Sequence, residues 1–101
     1  MSMRLDEVTC NICYQILVEP IKLFCNHELC IICASSLIEN KKYSCPMCRE
    51  KIPQVLCYGS LPVLINKDRW AQIKEKFPKE VFERLPDLIE FYKRQAKIVR
   101  I

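Results

Sequence analysis

The sequence predicts a small α+β domain with helices appended at its C-terminal side, and three observations carry that prediction. The chain has only 101 residues, room for a core that is marginal without an additional constraint. Eight cysteines and one histidine supply such a constraint, and every one of these except Cys57 lies between positions 10 and 48. The residues between them alternate between β-forming and helix-forming runs, whereas the last third shows helical periodicity alone.

Taken in order, Leu17-Val18-Glu19-Pro20-Ile21-Lys22-Leu23-Phe24 is rich in apolar and β-branched residues and reads as a loop leading into a short strand. Ala34 to Asn40 reads as a short helix, with Leu37 and Ile38 apolar and Asn40 as its stop. Pro53 closes the cysteine-rich module, so residues 1–53 form one unit. Residues 54–65 read as a linker, holding the single Gly59 and then Pro62. Residues 66–101 form a helical extension. Asn66 is the N-cap, Asp68 sits in the first turn, and Trp70, Ile73 and Phe77 share a stripe that ends at Pro78. Pro86 is placed to begin a further helix, along which Leu88, Ile89, Tyr92, Ala96 and Val99 recur at near-heptad spacing. That helix reaches Ile101 without a cap. Three readings stay open for this end: the chain is cut from a longer protein, its end pairs with something, or the helices simply pack back on the cysteine-rich module.

The cysteines admit two frameworks, a secreted disulfide scaffold or an intracellular metal site. Residues 1–7 contain no long apolar run of the kind a signal peptide requires. Six of the eight cysteines stand in Cys-x-x-Cys pairs, a spacing that suits two thiolates on one tetrahedral ion. His27 follows Cys25 by two residues, a position of no use to a disulfide framework. The pattern therefore points to zinc. No apolar stretch approaches the ~20 residues that span a bilayer, which predicts a soluble protein with no membrane partner.

The full spacing, Cys-x2-Cys-x11-Cys-x-His-x2-Cys-x2-Cys-x11-Cys-x2-Cys, lacks the second histidine of the two-Cys, two-His fingers. Its histidine is the fourth ligand, where a PHD finger has it fifth. In ligand number and order it resembles the RING-finger family. That resemblance implies a cross-braced fold with a short hairpin and a central helix around two structural zinc ions. One ion would be held by Cys10, Cys13, Cys30 and Cys33, the other by Cys25, His27, Cys45 and Cys48. Four protein ligands per ion leave no open position for a reacting water, and each ion closes a long loop that a small core cannot hold alone. Cys57 is left over as a passive thiol, because the sole histidine is committed to metal and no base remains to activate it.

The same resemblance implies a function: an E3 ubiquitin transferase that binds a ubiquitin-charged conjugating enzyme and orients its thioester for attack by a lysine. Catalysis is then by positioning, with no covalent intermediate. Ile12, Leu37 and Pro46 match the family's contact surface for the conjugating enzyme. Arg49, directly after the last ligand, matches the linchpin that bonds both ubiquitin and that enzyme, a task for which a guanidinium's fixed fork of donors is suited. A RING that serves only as an adaptor or dimerisation module in a larger complex is the alternative.

Cys-Asn-Ile-Cys, Leu-Val-Glu-Pro and Cys-Asn-His-Glu-Leu-Cys look like the nucleosome-directed RING ligases of the DNA-damage response. The pattern Trp70-x2-Ile73-x3-Phe77-Pro78-Lys79-Glu80 resembles the helix that follows their RING. This likeness implies a nuclear protein that modifies a core histone, histone 2A, with Lys51 at the position that docks on the nucleosome's acidic patch. Glu50 replaces a basic residue there, and Lys51 retains the charge but not the bidentate pairing of an arginine. Lys41 and Lys42 either extend that basic edge or are ordinary loop lysines. Seven thiolates remove seven charges and two zinc ions restore four, bringing the formal +4 down to about +1. Together with the lack of interleaved aromatic and basic residues, that argues against direct nucleic-acid binding.

Overall fold

The computed structural model describes residues 3–23, 25–52 and 64–99. Pro53, Cys57, Gly59 and Pro62, on which the module boundary, the spare thiol and the linker rest, lie outside the described residues. A 3-10 turn over Leu5–Val8 leads into the first cysteine pair. Strands β1 (Ile21–Lys22) and β2 (Glu28–Leu29) form an antiparallel hairpin, with Ile21 opposite Leu29 and Lys22 opposite Glu28. Helix α1 (Ile31–Glu39) follows immediately. Helices α2 (Lys67–Lys76) and α3 (Pro78–Val99) complete the fold. The predicted α+β class, hairpin and helices included, is the observed one.

A single apolar core lies beneath the hairpin. Val8, Leu17, Val18, Leu29 and Ile31 are fully or almost fully buried there together with Cys10, Cys30 and Cys45. Each such side chain contributes about 1.5–3 kcal/mol when fully withdrawn from water, but the set is small, and cysteines make up a good part of it. Ile65, in the expected linker, forms a bridge with Ile21, and the Asn66 N–H donates to the Pro20 carbonyl at 2.9 Å. These bonds anchor the start of α2 against the hairpin.

Two expected boundaries move. Helix α1 begins at Ile31, three residues ahead of the expected start, with Cys30 as its N-cap. One Cys-x-x-Cys pair is therefore carried on the first turn of a helix, and the Ala34 N–H bonds to the Cys30 carbonyl at 3.0 Å. Further on, Pro86 does not start a helix but lies inside α3. The break falls at Pro78, where Phe77 ends α2 and its carbonyl accepts the Val81 N–H at 3.0 Å. Pro78 suits a first helical position, since it has no N–H to leave unpaired. Pro86 forfeits one intrahelical bond, at a cost of about 3 kcal/mol. Helix α3 continues through it because Val81, Arg84, Leu88 and Phe91 are buried as one stripe on both sides of the proline.

The near-heptad residues of α3 divide between two faces. Leu88 points inward, but Ile89 and Tyr92 are exposed; the side chains of Ala96 and Val99 lie outside the described residues. The stops and caps on the earlier helices are as expected. Asn66 accepts the Arg69 N–H at 3.1 Å through its side-chain oxygen, and Asn40 caps α1. Ile73 is wholly buried, with Trp70 and Phe77 packed against the same core. The helices do pack back on the cysteine-rich module. Arg69 Nη2 donates to the Glu7 carbonyl at 3.1 Å, and Tyr92 donates to a Glu19 carboxylate oxygen.

Candidate functional site

Two turns of the same construction present ligands to the metal centres. In the first, over Cys10–Gln15, the Tyr14 N–H donates to the Cys10 carbonyl at 2.8 Å and the Cys10 N–H to the Gln15 carbonyl at 2.8 Å. In the second, over Cys45–Glu50, the Arg49 N–H donates to the Cys45 carbonyl at 2.7 Å and the Cys45 N–H to the Glu50 carbonyl at 2.8 Å. Each turn closes on a residue with left-handed backbone, Tyr14 at φ 58° and Arg49 at φ 64°. Neither is glycine, so each carries a strain on the order of 1–3 kcal/mol that its surroundings must offset. Asn26, at φ 71°, makes the corresponding bend between Cys25 and His27, and asparagine tolerates it better than most residues.

These turns converge in an interleaved manner. Cys10, Cys13, Cys30 and Cys33 form one cluster and Cys25, His27, Cys45 and Cys48 the other, with all ligand atoms in each within 4.8 Å of one another. The Cys10 and Cys33 sulfurs are 3.7 Å apart, and those of Cys13 and Cys30 3.9 Å. A disulfide would bring them to about 2.05 Å, whereas a tetrahedral site with metal–sulfur bonds of ~2.3 Å has edges near ~3.8 Å. In the second cluster His27 turns its Nδ1 inward, 3.3 Å from the Cys25 sulfur and 3.4 Å from that of Cys45.

The thiols' proton affinities report the same crowding. Hydrogen bonds from Cys30 and Cys33 pull Cys10 far below the ordinary thiol range. Giving up that sharing drives Cys33 far upward and Cys30 to about 11. At Cys25, burial opposes ionisation, but the backbone N–H and ring of His27 prevail and lower the thiol to about 7. Four sulfurs this close cannot all ionise unless a divalent cation neutralises them. The donor set, its tetrahedral edges and its burial fit two structural zinc ions, which here supply folding energy and no reacting water.

The clusters differ in surroundings. In the first, Cys10, Cys30 and Cys33 are buried, and in the second only Cys45 is, while Cys48 is exposed. Arg84 of α3 reaches the first cluster. Its Nη1 donates to the Ile16 carbonyl at 2.9 Å and lies 3.6 Å from the Cys13 sulfur, and its Nε pairs with Asp87 at 3.3 Å. Burial works to lower the guanidinium's proton affinity, but the Cys30 and Cys13 sulfurs outweigh it, so Arg84 stays charged. Arg84 was not among the expected site residues. Its signal in the sequence is an arginine on an otherwise apolar stripe, three residues after Val81 and four before Leu88.

The expected surface residues fall on these turns and on α1. Ile12 is 36% exposed in the first turn, whereas Met47, at the matching place in the second, is partly buried against the core. Pro46 and Arg49 are exposed in the second turn. Lys51, also exposed, forms a bridge with Ser44 just beyond it. Leu37 is half-buried near the end of α1 and packs partly on the core. Lys41 and Lys42 are exposed after the α1 cap, where the Lys42 N–H bonds to the Leu37 carbonyl at 2.9 Å.

Residues 6–55 match the family model described as a zinc finger of the C3HC4 type, the RING finger. Among curated relatives, the chain is 39% identical over 77 residues to E3 ubiquitin-protein ligase RNF168 of Homo sapiens, covering 75% of this chain and 14% of that protein. It is 34% identical over 80 residues to the Xenopus laevis protein of the same name, covering 78% of this chain and 14% of the relative. It is also 34% identical over 82 residues to Transcriptional regulator of yeast form adherence 3 of Candida albicans, covering 81% and 16% respectively. The chain thus spans about one-seventh of the length of the ligases it matches. Matched over its cysteine-rich half and carrying both interleaved ligand clusters, this chain belongs to the RING-finger family.

Proposed function

We propose that this chain is the ubiquitin-transferring part of a RING-type E3 ligase, which binds a ubiquitin-charged conjugating enzyme and promotes transfer to a lysine. The observation that carries the reading is the second metal-binding turn. It ends on Arg49, an exposed guanidinium whose backbone is tied to the Cys45 carbonyl. Ile12 and Pro46 are exposed on the two turns and Leu37 is half-buried on α1, a small apolar set suited to the conjugating enzyme. Arg49 would donate to ubiquitin and to the enzyme at once and so restrict the thioester to a reactive orientation. The names of the vertebrate relatives support the same activity.

The finer reading is a nuclear ligase of the DNA-damage response acting on histone 2A in nucleosomes. Lys51 would dock on the acidic patch, with residues 1–53 as the catalytic module, 54–65 as linker and 66–101 as a helical support.

Ubiquitin discharge from a charged conjugating enzyme, measured with and without nucleosomes, tests both levels. Ile12→Ala and Arg49→Ala are each expected to slow discharge at least about tenfold, a loss of ~1.4 kcal/mol of transition-state stabilisation. Arg49→Gly, which relieves the left-handed backbone, should be as inactive as Arg49→Ala, because the guanidinium and not the turn is what is lost. Lys51→Glu should spare discharge and reduce nucleosome modification alone. Wild-type discharge by both Ile12→Ala and Arg49→Ala would overturn the roles given to these residues, whereas a wild-type chain that does not accelerate discharge at all would favour the non-catalytic adaptor.

A further inference from the structure

The first cluster carries an electrostatic load that the second does not. A divalent ion with four thiolates has a net charge of −2, and with three thiolates and a neutral imidazole only −1. The more highly charged cluster is also the more buried one. A buried charge is tolerated only when it is paired and hydrogen-bonded. Among the described residues, one cationic side chain bonds to a sulfur of that cluster: Arg84, itself only 7% exposed, with Nη1 3.6 Å from the Cys13 sulfur. The same nitrogen holds the Ile16 carbonyl at 2.9 Å, and Nε holds Asp87 at 3.3 Å. The guanidinium is thus fixed from three sides, with the carboxylate orienting it from one turn further along α3.

We propose that Arg84 is an outer hydrogen-bond donor to the first zinc site, positioning Cys13 and offsetting the charge of its four thiolates, so that α3 is a working part of the metal module. A hydrogen bond to a ligating sulfur draws charge off the thiolate and fixes its lone pairs, and groups in this role commonly change metal affinity by 10–100-fold. Because Arg84 grips Ile16 as well as Cys13, it also ties α3 to both ends of the segment that follows Ile12.

The test uses the full chain loaded with zinc and a coloured chelator that reports each ion as it leaves. Arg84→Gln is expected to release one of its two zinc ions at least tenfold faster than wild type, with the other unchanged. Arg84→Lys retains the charge and a single donating nitrogen but loses the separate Nε bond to Asp87 that orients it, and should fall between the two. Cobalt substitution identifies the site: the thiolate-to-cobalt absorption of the four-cysteine centre should shift in Arg84→Gln, while that of the three-cysteine, one-histidine centre stays in place. Should Arg84→Gln fail to fold, Arg84→Lys and Asp87→Asn carry the same comparison, the latter with a smaller acceleration. Wild-type release and unshifted spectra in the variants that fold, or equal acceleration at both sites, would overturn the proposal and leave Arg84 as a packing residue. Zinc release and cobalt spectra are read without any ligase assay, so failure of the conjugating-enzyme reading leaves this result intact.

Discussion

The two metal centres start from the same local device and end in different physical states. Both are entered through a Cys-x-x-Cys turn closed by a left-handed, non-glycine residue. The first takes its second pair from the N-terminal turn of α1, lies in the apolar core and is reached by Arg84. The second takes its partners from the hairpin bend at Asn26, and the loop around it is held by the Ser44–Lys51 bridge and the bond from the Ile52 N–H to the Tyr43 carbonyl, with Cys48 open to water. One local sequence pattern thus serves as a core element in one place and as a surface clasp in the other. The residues outside each turn decide which. The difference also suits the activity proposed for the second turn, since Arg49 must reach partners in solvent.

The strongest way to break this comparison is to remove one ligand from each centre. Cys30→Ser is expected to abolish cooperative folding, because a structural zinc site supplies roughly 10 kcal/mol or more of folding energy and this one anchors the core. Cys48→Ser should lose one zinc ion yet keep the helical circular dichroism and a cooperative, lower-melting transition. Comparable unfolding by both variants, followed by circular dichroism and metal content, would show that the centres are equivalent after all. A smaller effect separates the helices from the metal. Ile73→Ala empties a fully buried position in α2 and should cost about 2–5 kcal/mol in denaturant unfolding, with both zinc ions still bound.

The smallest expected effect concerns the clasp between α3 and the first half. Burial, then the bond to Glu19, raises the Tyr92 phenol above its ordinary range near 10. A raised proton affinity in the folded state means that the contribution is fully present below pH 10 and is lost as pH climbs through the folded-state value. Tyr92→Phe should therefore destabilise by about 0.5–1 kcal/mol at neutral pH, kept small by the exposure of the pair. The gap between variant and wild type should narrow above pH 10 in melting experiments run across that range.

Much of the site was legible because metal ligation leaves a mark in linear spacing. Eight candidate ligands stand out at set intervals, since a tetrahedral ion accepts only certain short loops between paired donors, and the family resemblance implied how they divide between two clusters. Asn66, Asn40 and the Trp70–Ile73–Phe77 stripe were legible for a similar reason, caps and helical stripes being local. Pro86 was misread because its preference for helix starts is a local rule. The stripe from Val81 to Phe91 that overrides it draws its energy from the far side of the molecule. Which face of α3 turns inward was not legible either: two apolar stripes overlap on that helix, and among the described residues the one through Val81, Leu88 and Phe91 is buried.

By itself, then, the sequence determined the candidate ligands and the residue types offered on each turn, because paired donors on one ion leave their mark in local spacing; the division of those ligands into two interleaved centres was implied only by the family resemblance, and the fold brings it about. The tertiary structure alone decided which centre is buried, that His27 turns Nδ1 toward the Cys25 and Cys45 sulfurs, and that an arginine distant in the chain sits against a cysteine of the first cluster. These depend on packing between segments far apart in sequence, where a small core must find a partner for each charge it buries.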